Sequence, residues 1–186
     1  MGGCVRIGDG MGLTRRQGGA LAALALAVLV AAAALVPAFK ALEVREWRTG
    51  RLLYFARMPA GSRFEVRFIH SVERTPVREV FAAGPDFVMY LVETVYESFG
   101  AGLPTTADEG ARLVLEDGKI RITGLHRRIG ELVLRVSSVP GHALVVSGET
   151  VTLADLARPG TALSVKAVRA PVLAFLFRGR CWWMRR

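Results

Sequence analysis

Chemically assertive side chains are scarce in this chain. Its 186 residues include two cysteines, three histidines and three lysines. Cys4 and Cys181 stand at opposite ends, which excludes a cysteine-based metal centre and an internal disulfide framework. His126 and His142 are isolated, and each reads as an exposed loop or turn residue. No HExxH pair is present for a helical zinc site. Gly100 and Gly102 are not followed by a Lys-Ser/Thr pair, which excludes a phosphate loop there.

Basic charge is plentiful overall but thin where a fold would form. The formal net charge is +9. Residues 1–39 carry three Arg and one Asp, residues 40–168 carry 17 basic and 15 acidic side chains, and residues 169–186 carry five Arg. The central segment therefore has no excess with which to track phosphates, and nucleic-acid binding is not expected.

One apolar run dominates the composition. Residues 18–39, GGALAALALAVLVAAAALVPAF, are 22 residues without a charge. As a helix they would measure about 33 Å, enough for a hydrocarbon core of about 30 Å. A cleavable signal peptide has a shorter apolar region of about 7–15 residues, so an uncleaved transmembrane anchor is the better reading. A short cytoplasmic N-terminus (1–17), the anchor (18–39), an extracytoplasmic β domain (40–168) and a basic aromatic tail (169–186) are the expected divisions. In the tail, Trp182 and Trp183 among arginines suit the membrane interface.

Past residue 40 the hydrophobic period becomes two. SRFEVRFIHSV (62–72) alternates, with Phe64, Val66, Phe68, His70 and Val72 on one face. DFVMYLVETVYESF (86–99) is rich in β-branched and aromatic residues and reads as a central strand. ARLVLEDGKIRITGL forms a hairpin around Asp117-Gly118. Further strands are expected in ALEVREWR, RLLYFARM, ELVLRVSSV, HALVVSG and ALSVKAV, with one helical turn in TLADLARPG. The expected class is all-β: a small antiparallel sandwich or barrel preceded by one N-terminal transmembrane helix.

FIHSVERTPVREVF (68–81) holds the most chemically capable group. A turn at Glu73–Pro76 would pair Val72 with Val77 and place His70 opposite Glu79 on the inward face. A three-residue loop at Gly84-Pro85-Asp86 would put Glu93 opposite Val77 and diagonal to Glu79, whereas a two-residue loop would turn it away. His70, Glu79 and Glu93 would then resemble a facial metal triad or line a ligand site. The bland reading is a polar cluster in which Glu79 satisfies His70. Ser71 follows His70 in the strand and points to the other face, so no Ser–His nucleophile is expected.

FIHSVERTPVREVF, followed by ETVYESFGAGLP (93–104) and preceded by one apolar helix, resembles a small bacterial family known as domain of unknown function 1850. Its members are often encoded beside TRAP-type solute transporters of the TAXI subclass. The resemblance covers roughly residues 40–140. It implies a membrane-anchored extracytoplasmic β domain of the bacterial inner membrane and no particular chemistry; the expected role is a non-enzymatic accessory of such a transporter's membrane subunit or solute-binding protein, with no cofactor. The matching positions are His70, Ser71, Glu73, Glu79, Glu93, Ser98, Gly100, Gly102, Leu103 and Pro104. The alternative is a small-ligand or metal-binding module using His70, Glu79 and Glu93.

Overall fold

The computed structural model describes residues 15–37, 39–86, 88–98, 108–139 and 141–174; within the first helix, the side chains of residues 15–18, 20 and 22 are outside the description. Two units are formed, Met1–Val36 and Pro37–Arg186. The first contains α1 (Arg15–Leu35). Its leucine and valine side chains that are described, among them Leu24, Leu26, Leu29 and Val30, are all more than half exposed. Among the described residues no helix is long and apolar enough to cross a membrane. The expected anchor coincides with α1 over residues 18–35 and includes positions outside the described residues.

The second unit is a β domain. Its strands are β1 (Phe39–Glu46), β2 (Leu52–Arg57), β3 (Arg63–Ile69), β4 (Pro76–Ala83), β5 (Met89–Tyr96), β6 (Arg112–Glu116), β7 (Lys119–Ile129), β8 (Leu132–Arg135), β9 (Ala143–Val146), β10 (Glu149–Thr152) and β11 (Ala162–Ala170), with one helical turn, α2 (Leu153–Leu156), before the last. They form a four-stranded sheet, β2-β1-β11-β8, and a seven-stranded sheet, β10-β9-β3-β4-β5-β7-β6. Every pairing is antiparallel. The two sheets stay separate, so of the two expected architectures the sandwich is the one formed.

Strand alternation builds the core. Leu42, Val44, Leu163 and Val165 of the smaller sheet join Phe64, Val66, Phe81, Ile122 and Leu144 of the larger one in a single cluster. The Phe64 and Phe81 rings stack at 5.1 Å between centroids. Burying each such side chain stabilises the fold by roughly 1.5–3 kcal/mol. The opposite face of the smaller sheet has its own patch, Ala41, Phe55, Ala170 and Ala174.

The turns follow their sequence chemistry. Asp117 and Gly118 have φ of 51° and 70°, the left-handed pair that closes β6 onto β7. Ser147 and Gly148 repeat it at 52° and 84°, closing β9 onto β10, a pairing the sequence pattern did not signal. A side chain at Gly84 would stand 2.4 Å from the Tyr90 ring, so the β4–β5 loop needs glycine for space.

Candidate functional site

The β3–β4 hairpin turns earlier than expected. Phe68 pairs with Val77, Val66 with Glu79 and Phe64 with Phe81. His70 is therefore not opposite Glu79, and Phe68 is not opposite Phe81. Strand β3 ends at Ile69, and Val72 lies two-thirds exposed in the turn rather than on the inward face. The cause is the six-residue loop 70–75. His70 N–H donates to Thr75 O and Arg74 N–H donates to His70 O, each at 2.9 Å, with Arg74 at φ 55°. Pro76, lacking an N–H, takes the first position of β4, where that loss is tolerated.

His70 is buried at 9% exposure, and its Nδ1 accepts from Glu73 N–H at 3.2 Å. It thus acts as a turn cap. Ser71 and Glu73 are exposed in the same loop, and no Ser–His nucleophile is formed by them.

Glu93 is turned away from Glu79. The β4–β5 ladder runs Ala83↔Met89, Phe81↔Leu91, then Val80↔Glu93, leaving Val92 as an extra residue. That bulge inverts the alternation: Leu91 faces the core and Glu93 faces the opposite side. There it takes hydrogen bonds from Arg78 Nη2 and, at 3.4 Å, Arg121 Nη1. Arg78 also donates to Glu65 at 3.0 Å, and Arg67 donates to Glu65 at 2.7 Å. This outer face is a row of alternating charges, each answered by its neighbour. Burial alone would raise the Glu65 carboxyl, but its hydrogen bonds to Arg67 and Arg78 hold it below the ordinary value.

Glu79 remains on the inner face, across the ladder from Thr94. It lies in a cleft of about 230 Å³ between the two sheets, lined by the apolar Val66, Phe68, Val133, Leu134 and Leu153 and by Arg67, Arg135 and His142. The His142 ring packs edge-on against Phe68 at 6.2 Å. Burial pushes the Glu79 carboxyl above the ordinary value, and the positive charge of Arg127 opposes that. Among the described residues nothing donates a hydrogen bond to this carboxylate. Arg127 itself forms a two-armed ion pair with Asp108, both contacts at 2.6 Å. Thr94, 1% exposed, has a hydroxyl oxygen without a hydrogen-bond partner.

The expected set of His70, Glu79 and Glu93 is thus spread over a turn, an inner face and an outer face. Among the described residues no group of three His, Cys, Asp or Glu side chains could hold a metal ion. Ser98 keeps a buried hydroxyl without a partner beyond the end of β5. Gly100, Gly102, Leu103, Pro104, Trp182 and Trp183 lie outside the described residues. The sequence pattern missed His142 and Arg127, whose neighbours come from β3, β4 and β8, and no local signal marks either.

Residues 64–153 match the model of a family described as Domain of unknown function (DUF1850). The match runs from β3 to the start of α2 and includes His70, Glu79, Glu93 and His142. No curated protein and no solved structure matches the chain significantly.

Proposed function

We propose that this protein is a non-enzymatic extracytoplasmic binding module, anchored by residues 18–39 in the bacterial inner membrane and accessory to a TRAP-type solute transporter of the TAXI subclass. The observation that carries the binding role is Glu79. A carboxylate in an apolar cleft costs stability unless a donor answers it. A donor group of a partner or solute would complete the site. The uncharged 22-residue run supports anchoring. The transporter link is supported by the paired motifs at 68–81 and 93–104, which resemble a family encoded beside such transporters.

Mild detergent extraction of the tagged full chain tests the reading. A transporter membrane subunit or solute-binding protein should co-purify, and deletion should reduce uptake of that transporter's solute. Normal uptake with no associated subunit would overturn it. Retention of the chain in membranes after alkaline carbonate washing reads the anchor separately.

A second reading keeps the cleft but replaces the protein partner with a small organic cation. Its support is the single carboxylate set against Val66, Phe68, Leu134 and Leu153 in about 230 Å³, a cleft that Arg67 and Arg135 also line. Equilibrium dialysis with small alkylamines should then show binding that Glu79→Gln abolishes.

A further inference from the structure

The end of the β domain farthest from its chain entry has a different chemistry. Chain entry is at Phe39, which pairs with Ala170 at one end of the smaller sheet. Strand β1 then runs eight residues, about 26 Å, to Glu46. At that far end Trp47 is pinned by its N–H to Ala162 O at 2.9 Å, while its indole is 58% exposed. A concave surface of about 770 Å³ gathers Trp47, Arg48, Arg135, Arg158 and the half-exposed Val133. The one acid lining it, Glu46, is already engaged by Thr49 and Arg51. Arg135 donates to Gly160 O, whereas the Arg48 and Arg158 guanidiniums have no hydrogen bond or ion pair among the described residues.

The same surface borders an unpaired strand. Among the described residues β8 is the edge of its sheet, bonded only to β11. Ala162 gives its carbonyl to Trp47, toward β1, so its cross-strand partner Arg135 is a non-bonded pair with β11. Arg135, and by alternation Val133, therefore direct N–H and C=O outward to the free edge.

We infer that this far end docks an acidic, extended segment of a protein partner, which adds a strand to β8 and lays carboxylates against Arg48, Arg135 and Arg158. Charge complementarity selects an anionic occupant, and the free edge selects a peptide over a headgroup. The exposed indole offers an amphipathic anchor of the kind that dominates binding energy. The inference rests on the binding-module reading for its partner class; its surface adjoins the Glu79 cleft, sharing Val133 and Arg135 with it, while Trp47, Arg48 and Arg158 belong to this surface alone.

The full chain in nanodiscs of zwitterionic lipid, mixed with a fluorescein-labelled peptide of alternating glutamate and valine, gives the test by anisotropy. Combined Arg48→Ala and Arg158→Ala should weaken binding about tenfold or more and flatten its salt dependence. Val133→Pro removes an edge N–H without touching a bond to β11, and it should weaken binding by a similar factor at unchanged melting temperature. Equal peptide affinity in the double-arginine and proline variants would overturn the inference. So would co-sedimentation with phosphatidylglycerol vesicles that the arginine changes abolish, if the peptide does not bind. Loss of transporter co-purification alone, with peptide binding intact, would count only against the proposed function.

Discussion

Glu93 and Glu79 sit on adjacent strands of one sheet and have opposite surroundings. Glu93, on the outer face, is held by Arg78 and Arg121 within a row of paired charges. Glu79, on the inner face, lies in a largely apolar cleft that Arg67 and Arg135 also line, with Arg127 as its electrostatic neighbour and no hydrogen-bond donor among the described residues. The outer acid is explained by the fold alone, since its partners satisfy it and fix the β4–β5–β7 arrangement. The inner acid is not. Its position raises the energy of its charged form with no hydrogen bond in return, which is why the proposed binding role is placed on it.

The largest test opens the core beneath the sheet that both acids share. Phe81 is 1% exposed and stacks on Phe64. Phe81→Ala should cost about 3–5 kcal/mol, read from the urea midpoint of the full chain in detergent. A loss below about 1 kcal/mol would mean that this cross-strand pair is not packed into the core.

Breaking the outer row comes next. Glu93→Ala leaves Arg78 and Arg121 facing each other and should cost about 1–2 kcal/mol, less at high salt, because these groups are partly exposed. An unchanged midpoint would reduce the row to a solvated surface and weaken the contrast with Glu79. A smaller effect is expected at the hairpin turn. His70→Leu removes the acceptor for Glu73 N–H while keeping apolar bulk, and should cost no more than about 1 kcal/mol. A far greater loss, with a new ligand-binding defect, would return His70 to the candidate site.

How much of this was legible in the sequence depends on a periodicity of two. The turn at 70–75 instead of 73–76 shifts the pairing by an even number of residues. Phe64, Val66 and Phe68 therefore keep the face that alternation gave them, and so does Glu79. What changed was the neighbour: Val66, not His70, stands opposite Glu79. A single extra residue did more damage at Val92, where the bulge flips Glu93 to the other face. Turn signals at Asp117-Gly118 are strong because the backbone demands positive φ there. The Val92 bulge carries no comparable residue. The cleft wall of Leu134, Leu153 and His142 comes from strand pairings far apart in the chain, which no local pattern encodes.

The smallest expected effect is the one of opposite sign. Burial raises the Glu79 carboxyl above its ordinary value, so the folded state holds this proton more tightly than the unfolded chain does. The resulting stability is fully present below the ordinary carboxylate range and is lost as pH rises through the raised folded value. Glu65 and Asp108 run the other way. Their carboxyls are lowered, so their stability is present at neutral pH and lost on acidification. Wild-type pH profiles mix these trends, but the difference between wild type and Glu79→Gln isolates one of them. The glutamine keeps the shape of the protonated acid and has no charge to desolvate. The variant should match wild type in acid and become the more stable of the two as pH rises past the ordinary carboxylate range, measured by denaturant midpoints across pH. A variant less stable than wild type at neutral pH would show that the charged Glu79 is already answered within the fold, by Arg127 or another donor, and the contrast with Glu93 would collapse.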